Sequence, residues 1–130
     1  MKYIKTIFIS LILTISLPSP VIADKNQTSD FQQTLQLAEQ GNALAQLALG
    51  VMYDKGQGVK QDYQQAKFWY QKAAEQGHAI AQYNLGVMYR NGNGVRQNLS
   101  KAKEYYGQAC DNGDQQGCEA YRELNEKGIR

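Results

Sequence analysis

The chain has 130 residues, of which 42% are hydrophobic, and a formal net charge of +2 at neutral pH, which suits one domain of modest size. The basic excess comes from Lys2 and Lys5, because the remaining 12 basic residues balance 12 acidic ones. Without a local cluster of lysine or arginine, the sequence lacks the charge pattern that binds phosphate backbones. We therefore expect no nucleic acid among its partners.

Residues 1–23 are predicted to be a secretory signal peptide. Two lysines precede the short apolar run Ile7–Leu17, and Val21-Ile22-Ala23 is a small-residue cleavage site. An apolar core of this length is too short to span a bilayer of about 30 Å as a helix. The mature chain is expected to begin at Asp24, to lie in the periplasm or to be secreted, and not to insert stably into a membrane.

The first helix is predicted over residues 30–40, after a polar, flexible leader at residues 24–29. Phe31, Leu35 and Ala38 share one face of this helix, behind a capping Asp30. In the repeats that follow, helices come in pairs; this helix matches the second member of a pair, has no predicted first member before it, and is expected to begin the stack.

Two copies of a 36-residue unit follow, at about residues 38–73 and 74–109, with 20 of 36 positions identical. A period of this length is typical of helix pairs that bury their apolar faces only by stacking on neighbours. The first helix of each copy is expected at 43–54 and 79–90, and the second at 62–76 and 98–111. The sequence therefore predicts an all-α solenoid of antiparallel helix pairs, with residues 30–130 as its single domain.

Several glycines lie at fixed places in the unit. Gly50 and Gly86 lie inside the first helices, where we expect another backbone to pack closely against them. Gly56-Gln57-Gly58 and its copy at 92–94 are expected to end those helices. A phosphate-binding loop is the alternative, but it would need a preceding strand and a third glycine.

A last helix within residues 110–130 is expected to close the stack. The unit restarts there in register, but Arg122 stands where the two helix glycines stood and Asn125 where tyrosines stood. A polar terminal helix is what a solenoid needs at its end in water.

The repeated pattern resembles a known family. The residues A-E-Q-G-x-A-x-A-Q-x-x-L-G-V-M-Y-x-x-G-x-G-V-x-Q, followed by A-K-x-x-Y-x-x-A, are similar to the Sel-one-like repeat, a tetratricopeptide-like helix pair. The resemblance covers about residues 38–128. It implies a right-handed superhelix that binds other proteins.

The chain has two cysteines, Cys110 and Cys118, which the predicted signal would deliver to an oxidising compartment. We interpret them as a disulfide that ties the last paired helix to the terminal helix. Cysteines at this separation also resemble those of secreted cysteine-rich bacterial members of the family. Two cysteines and the distant His78 do not make a closed zinc site, so neither a metal nor a cofactor is expected.

One motif suggests catalysis. Ser100 and Lys103 fit the S-x-x-K pattern of penicillin-recognising enzymes, and cysteine-rich relatives have been linked to β-lactams, which makes a β-lactam-binding or β-lactamase-like enzyme an alternative. The supporting S-D-N and K-T-G elements do not occur in the mature chain. We therefore expect no enzymatic activity.

The preferred hypothesis is a monomeric module that binds a partner protein or peptide, and a periplasmic antidote (immunity-type) protein is a further alternative. By resemblance to tetratricopeptide-like stacks, the variable positions of each first helix line a concave groove. Tyr83 is the favoured aromatic anchor, with Arg90 beside it to pair with a carboxylate. The groove positions are Leu44, Leu47, Val51 and Asp54, then Ile80, Tyr83, Val87 and Arg90, then Gln116, Glu119, Glu123 and Glu126. The aliphatic members are alternatively interpreted as part of the core between helices.

Overall fold

The computed structural model describes residues 22–130, with side chains from Gln27 onward, and this part of the chain contains helices and turns without strands. The helices are α1 (Ile22–Glu39), α2 (Ala43–Lys55), α3 (Tyr63–Glu75), α4 (Ala79–Asn91), α5 (Leu99–Asp111) and α6 (Gln115–Glu126). We call α2, α4 and α6 the A helices and α1, α3 and α5 the B helices. No helix of residues 22–130 combines the length and apolarity required to cross a membrane.

Each helix packs against the next helix along the chain, and α4 also contacts α6. Successive A and B helices therefore form antiparallel pairs that stack in one direction. Three clusters of buried residues lie between the packed helices; the first contains Tyr70, the second Trp69 and the third Tyr106. The predicted all-α helical-repeat stack is confirmed.

The helix α1 is longer than the sequence suggested. It begins at Ile22, so residues 24–29, expected to be a flexible leader before an Asp30 cap, are helical. Gln27 lies 36 positions before Tyr63, the first residue of α3, so α1 has at least the full length of a B helix. The first turn of the stack packs on it, since a Cβ placed on Gly58 would lie 3.2 Å from the Gln27 carbonyl oxygen. The predicted signal peptide lies almost wholly outside the described residues.

The paired glycines of the turns have separate structural roles. Gly56 and Gly92 adopt left-handed conformations, with φ of 67° and 72°, and end α2 and α4 by donating backbone hydrogen bonds to Met52 and Met88. The second glycine of the later turn, Gly94, packs on the preceding B helix, where an added Cβ would lie 2.5 Å from the Tyr63 Cβ. Helix termination and packing between units therefore account for the G-x-G pattern.

The glycines inside the A helices accommodate tyrosine rings and not a neighbouring backbone, which corrects the expectation from the sequence. A Cβ added to Gly86 would lie 2.5 Å from Cε1 of Tyr106, and the ring of Tyr70 occupies the same place over Gly50. Both tyrosines are 1% exposed. Each unit therefore contains one glycine and tyrosine pair that joins its A and B helices.

Buried amides connect successive units. Gln46 is 4% exposed, and its Nε2 donates a hydrogen bond to the Ala38 carbonyl at 3.1 Å, while its Oε1 accepts from Gln76 Nε2 at 2.8 Å. The second copy repeats both bonds, from Gln82 to the Ala74 carbonyl at 3.2 Å and from Asn112 to Gln82 at 2.9 Å. A buried amide requires such partners because burial without them is costly.

The predicted disulfide between Cys110 and Cys118 is confirmed. In register, Cys110 replaces Ala74 and Cys118 replaces Gln82, so a covalent bond takes the place of the hydrogen bond from glutamine to carbonyl. The bond joins α5 to α6 at the last helix of the stack, which has no following helix among the described residues to hold it.

Candidate interaction surface on the A helices

The predicted groove residues lie on the A helices but differ in exposure. Leu44 is 66% exposed and Ile80 is 50% exposed, and they occupy the same position of the unit on α2 and α4. Gln116 occupies this position on α6 and is also exposed. The outward side of α2 and α4 therefore carries two large aliphatic side chains in register.

Leu47 does not belong to this surface. It is only 8% exposed and packs in the core cluster that contains Tyr70, Ala81 and Leu85, which supports the alternative interpretation as a core residue. Val51 and Val87 are half-buried and pack against core clusters. The position of Leu47 in the unit is taken in α4 by Tyr83, which is partly exposed.

Tyr83 lies with one side against the core. Its ring centroid is 5.5 Å from that of Tyr106, at an interplanar angle of 40°, and it borders the cluster formed by α5 and α6. The contact holds the ring in place while part of it reaches the surface. A half-buried tyrosine of this kind is suited to contact a partner, because little side-chain entropy remains to be lost.

Arg90 is already paired within the chain. Its two terminal nitrogens donate to the Glu123 carboxylate at 3.2 and 2.9 Å, and Lys127 donates to the same carboxylate at 2.6 Å. The hydrogen bond to Glu123 raises the pKa of the Arg90 guanidinium. Arg90 therefore joins α4 to α6, which corrects the expectation that it is available to a partner's carboxylate. The two residues are 33 positions apart, and the equivalent positions of the preceding copy are Asp54 and Val87, so no sequence pattern indicates this pair.

The ion pair predicts a pH dependence of stability. Hydrogen bonds from Lys127 and then Arg90 lower the pKa of Glu123. A lowered folded-state pKa stabilises the fold above the unfolded pKa of about 4.3, and this stabilisation is lost as the pH falls through the folded value. We expect Glu123→Gln to lower the Tm at neutral pH but not near pH 2. Calorimetry should show no change for the exposed control Glu126→Gln, and an unchanged Tm for Glu123→Gln at neutral pH would contradict the role of the pair.

Asp54 accepts a partly buried hydrogen bond within the chain. The Tyr70 hydroxyl donates to Asp54 Oδ2 at 3.2 Å, and burial followed by the nearby Asp54 charge raises the pKa of Tyr70. The tyrosine therefore stays neutral and keeps its proton available for this bond. Asp54 is half-buried and helps hold α3 against α2.

The last A helix carries exposed acidic side chains. Glu119 accepts a hydrogen bond from Gln115 at 3.1 Å, and Glu126 is exposed. Neither forms a salt bridge with another residue of the part that the structure describes. The A-helix surface is thus aliphatic on α2 and α4 and acidic on α6.

The geometry does not favour the serine and lysine motif as a catalytic pair. Lys103 Nζ donates to Asn125 Oδ1 at 2.9 Å and to the Ile129 carbonyl at 2.7 Å, and it lies over the Tyr121 ring. Ser100 is exposed in the first turn of α5. The lysine therefore holds the chain end against α5, a structural role that accounts for its place. Within residues 22–130, no group of three or more His, Cys, Asp or Glu side chains is arranged to hold a metal ion.

Comparison with known proteins gives a match to the family model described as Sel1 repeat, at residues 43–78 and 79–114. These two matches cover more than half of the chain, and each begins at an A helix. Sel1 repeats generally mediate interactions between proteins. A search of curated proteins gave no match.

Solved structures of similar fold include three bacterial proteins. A protective antigen of uropathogenic Escherichia coli strains that displays an SLR fold is 38% identical with a TM-score of 0.73, and the match covers 76% of this chain and 21% of the antigen. A Sel1 repeat protein from Oxalobacter formigenes is 36% identical with a TM-score of 0.67, covering 69% and 37%. Helicobacter pylori cysteine rich protein B is 28% identical with a TM-score of 0.68, covering 72% and 70%. The chain thus spans well under half the length of the first two.

Proposed function

Because the chain belongs to the Sel1 repeat family, we propose that it is a protein-binding module that holds a partner protein or peptide against its A helices. The single observation that carries this proposal is the pair Leu44 and Ile80, two large aliphatic side chains left exposed at one position of successive units. Fully burying such a side chain contributes about 1.5–3 kcal/mol, so a partner that covers both gains substantial binding energy.

The distribution of charge indicates what the partner carries. Glu119 and Glu126 are exposed and lack salt bridges among residues 27–130, while the Arg90 charge is already neutralised by Glu123. A segment with apolar residues over α2 and α4 and a basic residue over α6 is complementary to this surface. Tyr83, on the middle A helix, would contact the centre of such a segment.

The location we propose is the periplasm or the extracellular space. The disulfide suits an oxidising compartment, and the apolar N-terminal segment has the composition of a secretory signal. One similar structure is described as a protective antigen and another as a cysteine rich protein. Cell fractionation, with sequencing of the N-terminus of the recovered protein, tests this location.

The binding surface is tested with charge substitutions at exposed positions. Leu44→Asp combined with Ile80→Asp should weaken binding of a partner isolated from an envelope extract by about tenfold or more, because the apolar contact is lost. The matched control is Leu37→Asp combined with Phe68→Asp, which changes exposed apolar residues of the B helices, 42% and 47% exposed. Isothermal titration calorimetry should show parent-like affinity for this control. Equal affinities of both double variants and the parent would exclude the A-helix surface.

A further inference from the structure

A second surface lies where α5 begins, away from the exposed aliphatic residues of the A helices. Two adjoining open pockets of about 440 and 610 Å³ meet at Asn98. Five cationic side chains line them, and we call this group the basic edge: Lys67, Arg96, Lys101, Lys103 and Arg130. Three of them lie within positions 96–103, and folding brings Lys67 of α3 and Arg130, which follows α6, beside them.

The cations of the basic edge have no carboxylate partner. The salt bridges among residues 27–130 join Glu123 to Arg90 and to Lys127. Glu104 is the only acidic side chain that lines either pocket. Five neighbouring positive charges without paired carboxylates produce a local positive potential on a chain of small net charge.

Two of these ammonium groups are held in place before any ligand arrives. Lys101 Nζ lies 5.8 Å from the Tyr89 ring centroid and 5.9 Å from that of Tyr105, and the two rings stack on each other. Lys103 Nζ uses two of its three donors on Asn125 and the Ile129 carbonyl, which leaves one for a ligand. Fixed side chains bind an anion at a lower entropic cost than freely rotating lysines.

We propose that the basic edge binds a carboxylate-rich peptide segment of a second partner protein. A membrane is a less suitable partner, because this edge offers no free apolar anchor. Its exposed large hydrophobic side chain is Tyr121, and the ring of Tyr121 lies under Lys103. Nucleic acid fits less well, because the faces of Tyr89 and Tyr105 are engaged with each other and with Lys101.

The test uses the oxidised protein and a fluorescent oligoglutamate peptide of about eight residues, which reaches about 26 Å when extended. Fluorescence anisotropy is measured at low and at physiological ionic strength. The edge variant combines Lys67→Gln, Arg96→Gln and Lys101→Gln and should bind at least about tenfold more weakly than the parent. The control combines Lys55→Gln, Lys72→Gln and Arg122→Gln, which removes the same charge from exposed positions elsewhere. Its affinity should stay within about twofold of the parent value.

Three outcomes would overturn the proposal. The first is equal loss of binding in both triple variants, which would show that only net charge matters. The second is no binding of the peptide by the parent protein. The third is stronger binding to phosphatidylglycerol vesicles than to the peptide, which would make the edge a membrane contact. The variant with Leu44→Asp and Ile80→Asp should bind the peptide like the parent, so failure here is distinguishable from failure of the A-helix surface.

Discussion

Replacing Gly86 with leucine should destabilise the fold by about 1–3 kcal/mol or more, because the new side chain must enter the space of the Tyr106 ring. Even its Cβ would lie 2.5 Å from Tyr106 Cε1, and this tyrosine is 1% exposed. The ring has no free space into which to turn without disturbing the α5 and α6 cluster. Urea unfolding followed by circular dichroism measures the loss.

A control and a double substitution make this prediction specific. Asn93→Ser changes a turn residue whose side chain makes no hydrogen bond within residues 27–130, so it should cost little. Gly86→Leu should cost less in a Tyr106→Leu background than alone, because the smaller partner leaves room. Equal free energies of unfolding for Gly86→Leu and Asn93→Ser would contradict the glycine and tyrosine pairing.

Removing the disulfide by Cys110→Ala with Cys118→Ala should lower the free energy of unfolding by about 2–3 kcal/mol, the chain-entropy estimate for a short loop. The effect should appear first as loosening of α6, which the disulfide joins to α5. Reduction of the parent protein with a thiol reagent should give the same loss. Urea unfolding and hydrogen exchange of the α6 amides measure the two effects.

The register of the repeat supplies a matched variant. Cys110→Ala with Cys118→Gln recreates the arrangement of Ala74 and Gln82, in which the amide donates to the alanine carbonyl. This variant should recover about 1 kcal/mol relative to the double alanine variant, the usual net contribution of one hydrogen bond. If the two double variants unfold at the same urea concentration, the glutamine introduced at position 118 does not form the stabilising hydrogen bond that Gln82 forms in the preceding unit.

The terminal positions of the helices show how local signals act. Asn42 and Asp114 cap α2 and α6 through bonds to the amides of Ala45 and Gly117, as their residue types indicate. His78 occupies the same position before α4 and makes no such bond, and its Nδ1 is buried without a hydrogen-bond partner among residues 27–130. The helix forms all the same, because its apolar face is buried between neighbouring helices.

The sequence by itself determined the repeat period, the six helices and the stacked all-α fold, because glycine ends, capping residues and apolar spacing are local and occur twice. It also identified the disulfide, since the chain has two cysteines. The sequence placed the start of α1 too late, because the polar residues 24–29 carry no apolar pattern that would predict a helix. Only the structure shows that this segment is helical and that the turn containing Gly58 packs on it.

Only the tertiary structure decided which candidate surface residues are available. Leu44 and Leu47 are the same residue type three positions apart, yet one is 66% exposed and the other 8%, because the neighbouring helices cover only one of them. Arg90 is paired with Glu123 across 33 residues. The basic edge likewise adds Lys67 and Arg130, which are distant in sequence, to the cations at positions 96–103. Such choices depend on contacts between units, and a pattern within one unit does not contain them.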